Sequence, residues 1–145
     1  MDAATIEVLR RSFARIAELR PDVTAVFYER LFEVAPAVRP LFTSDIQEQQ
    51  RKLLYTLVTI VECVDKPEKL VNLLTTLGQR HVRYGAQPEH YDVVGGVLLW
   101  TFEKVLGAEF TPEARRAWTE AYGVVANTMK AAAASAPKTA GAVAH

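Results

Sequence analysis

Cysteine is almost missing from this chain: Cys63 stands alone among 145 residues. One thiol cannot close an internal disulfide, and it excludes a zinc site built from several cysteines. Histidine is scarce too. His81, His90 and His145 are spread through the second half, which argues against a metal centre made of several protein ligands. Neither sign of charge dominates, with 17 basic and 17 acidic residues, so no strong field would draw in nucleic acid or an anionic membrane. No apolar run approaches the roughly 20 residues a membrane span requires. The N-terminus, Met1-Asp2-Ala3-Ala4-Thr5, lacks the basic region and apolar run of a secretory signal. These absences lead to the expectation of a soluble, cytoplasmic protein. Glycine-rich phosphate loops are missing as well: Gly95-Gly96 lies inside a helical pattern and lacks the spacing of a dinucleotide fingerprint.

What is present is apolar side chains at helical spacing. Half of the residues are hydrophobic, enough for one sizeable core. The periodicity is helical almost throughout, without a convincing alternating strand or an internal repeat, and it predicts an all-α chain. A first helix over about residues 4–19 groups Ile6, Leu9, Phe13, Ile16 and Ala17 on one side. Arg20-Pro21 breaks it, and Pro21 is expected in the first turn of a second helix carrying Val23, Val26, Phe27, Leu31 and Val34. Pro36 and Pro40 leave room for about one turn before Leu41-Phe42. Asp45 with Glu48 has capping-box-like spacing ahead of a third long helix. That helix carries one stripe of Gln49, Leu53, Leu57, Ile60 and Val64, and another of Leu54, Val58 and Val61. A fourth follows Pro67, bears Leu70, Leu73, Leu74, Leu77, His81 and Tyr84, and closes at Gly85. A fifth runs from Pro88 to Gly107 with Tyr91, Val94, Leu98, Phe102 and Val105. Thr111-Pro112-Glu113 opens the last with an N-cap hydroxyl, a proline and an acid. The expected domain spans residues 1–133. The Ala-rich segment 134–145, with Pro137 and Gly141, has little to bury and is expected to be disordered.

Few residues could carry chemistry. His81 lies four residues beyond Leu77 on an apolar stripe, so it points where the leucines point. Two readings follow: a structural histidine bonded to a backbone carbonyl, or an axial ligand to a metal or haem. His90 is expected to sit exposed at a helix start. Tyr28 lies on the shoulder of its helix with Thr24 and Phe32, while Gln49 heads the stripe Leu53 and Leu57. Each has an ordinary role open to it, as core tyrosine or solvated first-turn residue. As a pair they could offer an O–H and an N–H donor to one small polar ligand. Phe42 is either a core aromatic or a clamp against a flat cofactor.

Six strings occur in order: Phe27-Tyr28-Glu29-Arg30-Leu31-Phe32, Pro36-Ala37-Val38-Arg39-Pro40-Leu41-Phe42, Gln49-Gln50-Arg51-Lys52-Leu53, Arg80-His81-Val82-Arg83-Tyr84-Gly85, His90-Tyr91-Asp92-Val93-Val94-Gly95 and Trp118-Thr119-Glu120-Ala121-Tyr122-Gly123-Val124. In this order they resemble the globin family, above all the haem domains of bacterial flavohaemoglobins and the related single-domain bacterial globins, over about residues 4–130. The resemblance implies a globin fold of six to eight helices around a haem pocket, with b-type haem as cofactor. It implies that His81 is the proximal iron ligand, Phe42 the phenylalanine packed on the haem, Tyr28 and Gln49 the distal pair, and Leu53 the apolar residue above the iron. Leu57, Leu77, Tyr91 and Val94 would complete the cofactor's surroundings, and Lys52 or Arg80 would reach a propionate.

The implied chemistry is gas binding. Haem iron held by one histidine leaves its other face open to O2, CO or NO. Donors from Tyr28 and Gln49 favour the partly negative O2 over the less polar CO, so tight and slowly released O2 is expected. Flavohaemoglobins add a reductase domain that this chain is too short to contain, so nitric oxide dioxygenation would draw on an external NAD(P)H-dependent reductase. They also place a glutamate near the proximal histidine and a tyrosine. Tyr91 matches the tyrosine, but Ala133 falls where the acid would be, which weakens the case for peroxidase-like or fast dioxygenase chemistry. The alternatives are O2 storage, transport or sensing without turnover, and a haemless globin-fold interaction protein. Ligation of the iron by Tyr28 or Gln49 when no gas is bound also stays open.

Overall fold

The computed structural model describes residues 1–135 and contains six α-helices and two short 3-10 helices among them, with no strand. The helices are α1 (Ala3–Leu19), α2 (Val23–Val34), α3 (Ile46–Cys63), α4 (Pro67–Arg83), α5 (Pro88–Leu106) and α6 (Pro112–Ala134). The 3-10 helices, Pro36–Leu41 and Gly107–Glu109, follow α2 and α5. The all-α expectation is met. Local chemistry accounts for the boundaries. The Asp2 carboxylate accepts from the Thr5 N–H at 2.8 Å, Asp45 from the Glu48 N–H at 3.3 Å, and the Thr111 hydroxyl from the Ala114 N–H at 3.1 Å. Gly107 ends α5 with φ at 56°, a left-handed backbone that favours glycine.

Two elements differ from expectation. Pro21 is not in the first turn of α2. It sits in the preceding turn, where the Val23 N–H reaches back 3.0 Å to the Arg20 carbonyl, and Asp22 is the N-cap. The segment between Pro36 and Pro40 is a six-residue 3-10 helix whose tighter winding accommodates Pro40. Four residues expected on inner stripes face outward: Ala17, Val34 at 47 % exposure, Val58 at 38 % and Tyr84 at 51 %. The first three sit at the edges of their helices' apolar arcs, where 3.6-residue periodicity leaves the side undetermined. α6 continues to Ala134. Residues 136–145, which hold most of the expected tail together with His145, lie outside the described residues.

The core has two parts. The larger joins α1, α2, α3, α5 and α6 around Leu9, Ile16, Leu31 and Phe102. There the Trp118 ring lies 4.6 Å from Phe102, and its indole N–H donates to the Ser12 hydroxyl at 2.9 Å. The smaller holds α4 against α6 through Leu70, Leu74, Ala126 and Met129, with Tyr91 of α5 closing the side. α4 packs mainly on α6 and touches α3 more lightly. In the C-terminal half of α4, Gly78 is buried and Leu77 and His81 are half-buried. No helix among the described residues is long and apolar enough to cross a membrane.

Candidate functional site

α4 delivers His81 in a fixed pose. The imidazole Nδ1 lies 2.7 Å from the Leu77 carbonyl oxygen one turn earlier. A carbonyl only accepts, so Nδ1 carries the proton and the Nε2 lone pair is left for another partner. Burial holds the pKa of His81 below its ordinary value, with the Leu77 bond opposing this more weakly. The ring is therefore neutral at pH 7, the form a metal ligand must have. Just beyond, the chain stops in a Schellman motif. Gly85, with φ at 90°, donates to the Val82 carbonyl at 3.1 Å, and Ala86 donates to the carbonyl of His81 itself at 2.9 Å. Side chain and main chain of His81 are thus both tied to their helix. The structural bond to a carbonyl and a ligand's free Nε2 occur on the same ring.

The second cluster comes from α2, the 3-10 helix and α3. Tyr28 is 4 % exposed, and its ring meets Phe27 at 5.1 Å, Phe32 at 5.9 Å and Phe42 at 5.4 Å, the last edge-on. Burial raises the Tyr28 pKa and the Gln49 amide, its N–H directed at the Tyr28 oxygen, opposes this more weakly, so the hydroxyl is neutral and keeps its O–H as a donor. Tyr28 and Gln49, twenty-one positions apart in the chain, are therefore brought together. Phe42 ends the 3-10 helix half-buried against Tyr28 and Phe32. Its neighbour Leu41 lies against Gly85, with 3.3 Å between the Leu41 Cδ2 and the position a Gly85 Cβ would take, so this segment abuts the end of α4 that carries His81.

Apolar residues of the region are Leu57, buried, and Leu53, Leu77 and Val94, half-buried. Lys52 is on the outer side of α3, 61 % exposed, with its ammonium 3.6 Å from Glu48. Arg80 is exposed in the last turn of α4, next to His81. Tyr91 is buried, its ring 6.4 Å from His81, and its hydroxyl has no hydrogen-bond partner among the described residues. His90 departs from expectation. It is half-buried, and its Nδ1 accepts the Gln87 N–H at 2.9 Å, capping α5. The signal for this was Gln-Pro-x-His, a capping box with histidine in the acid's place.

The donor set fits a haem held by one histidine: a neutral imidazole with a free Nε2, apolar walls, and a neutral Tyr–Gln pair that could serve a ligand on the other face. No group of three or more His, Cys, Asp or Glu that could hold a metal ion occurs among the described residues. The globin family profile matches residues 25–129. The chain belongs to the globin family. It is 34% identical over 125 residues to an uncharacterized globin-like protein of Aquifex aeolicus, covering 86% of this chain and 88% of that one. It is 29% identical over 132 residues to the flavohemoprotein of Bacillus subtilis, covering 89% of this chain but 33% of the relative, so this globin spans about a third of the flavohemoproteins it matches. Among solved structures it is similar to an engineered carbene transferase derived from a candidate nitric oxide dioxygenase of Rhodothermus marinus, with TM-score 0.82, 28% identity and coverage of 92% and 94%. A bacterial globin from Campylobacter jejuni shares the fold at TM-score 0.80 and 24% identity, covering 92% of this globin and 96% of that chain.

Proposed function

We propose that this globin takes up b-type haem through His81 Nε2, binds O2 reversibly and tightly at pentacoordinate iron, and oxidises NO to nitrate with O2. The electron each turnover consumes would come from an external NAD(P)H-dependent reductase. The observation that carries the reading is the His81 ring, whose Nδ1 is held 2.7 Å from the Leu77 carbonyl so that the Nε2 lone pair is left for a ligand bond, and the neutral hydroxyl of Tyr28 near Gln49 supports it. Haem bound through one histidine supplies an open coordination position for O2, CO or NO.

The chain's own residues do the rest. Leu77 orients the imidazole and raises its basicity through the Nδ1 bond. Phe42, Leu53, Leu57, Leu77 and Val94 would keep water from the haem, and a dry surrounding would strengthen the hydrogen bonds made inside it. Tyr28 would donate its O–H to the partly negative end of a diatomic ligand, with Gln49 as second donor. Such a bond is worth about 1.5–3 kcal/mol. Arg80, exposed in the last turn of α4, or Lys52, exposed with its ammonium 3.6 Å from Glu48, would pair with a propionate.

The half-buried methyl of Ala133, where flavohaemoglobins resemble one another in carrying an acid, favours a second reading of O2 storage, transport or sensing without turnover. Absorption spectra of the haem-loaded protein in ferric, ferrous, O2 and CO forms test the binding proposal, and absence of a Soret band would sink it. Continuous NO consumption with NAD(P)H and a reductase separates the two readings, since a store or sensor reacts once and stops.

A further inference from the structure

Gly78 lies inside α4, one turn before His81, where glycine costs helix stability relative to alanine. The reason for a glycine is on the facing helix. A Cβ at this position would lie 2.5 Å from the Met129 carbonyl oxygen, 2.9 Å from the Met129 Cα and 3.1 Å from the Ala132 Cβ. The two nearest atoms are backbone, so no side-chain rotation on α6 can make room. α4 and α6 therefore touch main chain to main chain, and the absent side chain sets their separation. His81 cannot adjust independently, since its Nδ1 is tied to the Leu77 carbonyl and its own carbonyl to the Ala86 N–H. The imidazole goes where α4 goes.

We propose that Gly78 is a positioning residue for the haem ligand: its contact with the Met129 backbone fixes the distance of α4 from α6 and thereby the place of the His81 Nε2 relative to the iron. This rests on the reading of His81 as that ligand. Gly78→Ala must push the helices apart by about 1 Å, because non-bonded carbon contacts settle near 3.5 Å. Ala132→Val drives a wedge into the same crossing from the α6 side. Gly96, also within a helix, has nothing within 4 Å of a built Cβ and provides the control.

The test is resonance Raman spectroscopy of the haem-loaded ferrous protein, read at the iron–histidine stretching band. Wild type and Gly96→Ala should show one band at the same frequency. Gly78→Ala and Ala132→Val should both shift it, in the same direction. An unshifted band in either wedged variant, with lowered thermal stability, would make the contact merely structural and overturn the proposal. Should Gly78→Ala not fold, the milder Ala132→Val decides by the same criterion. No iron–histidine band in the wild type, or a band that survives in His81→Gln, would instead overturn the assignment of His81 as ligand.

Discussion

Replacing Tyr91 with phenylalanine should make the haem-free protein more stable, contrary to the usual effect of core substitutions. Tyr91 is 8 % exposed and packs among Leu70, Leu74, Ala126 and Met129, with nothing to accept or donate at its hydroxyl. The nearby polar groups are engaged elsewhere. The Tyr122 hydroxyl donates to the Tyr91 main-chain carbonyl at 2.6 Å, not to its side chain, and the Lys130 ammonium sits over the ring at 5.8 Å, within 3.9 Å of Asp92. A buried hydroxyl without a partner costs about 1–3 kcal/mol, and phenylalanine keeps the ring while removing that cost. For a chain of this size each kcal/mol moves the midpoint by roughly 2–4 °C, so Tyr91→Phe should raise Tm by about 2–12 °C. Thermal unfolding followed by far-UV circular dichroism measures this. Urea unfolding should show a higher midpoint at unchanged slope. An equal or lower Tm would mean that the hydroxyl finds a partner, and the reasoning would fail.

Tyr28→Phe should speed O2 release from the haem-loaded protein roughly ten- to a hundredfold, the factor for one bond of about 1.5–3 kcal/mol to a charged acceptor, and CO release much less. Flash photolysis and stopped-flow mixing read both rates, and equal effects on the two gases would refute the donor role. Gly96→Ala should stabilise by about 0.5–1 kcal/mol, because its Cβ meets nothing and alanine restricts the unfolded chain, whereas Gly78→Ala should destabilise; differential scanning calorimetry compares their signs. Leu74→Ala, at a fully buried site in the α4–α6 core, should cost about 2–5 kcal/mol in denaturant titration. The haem-free protein should lose stability as pH falls below 6.5. Burial lowers the pKa of His81 in the fold, so the unfolded chain binds the proton more readily. The stability is complete above the ordinary value of 6.5 and is lost as pH descends towards the folded one. Tm measured from pH 7.5 to 5.5 checks this, and His81→Phe should flatten that part of the curve.

Much of the fold is legible in the residues because its signals are local. The Asp45 and Thr111 caps, the prolines at 67, 88 and 112 and the glycines at 85 and 107 act within one turn of where they stand. Arc-edge residues such as Ala17, Val34 and Val58 are not decided that way, since their burial depends on which neighbour the helix meets. The site divides along the same line. The spacing of Leu77 and His81 determines by itself that the imidazole can reach the carbonyl one turn back, as a helix always offers that contact. That Gln49 comes near Tyr28, that the Tyr91 hydroxyl is stranded, and that Gly78 lies against the Met129 backbone are decisions of the tertiary structure. Each depends on the distance between two helices far apart in the chain, and that distance is set by the packing of the whole core.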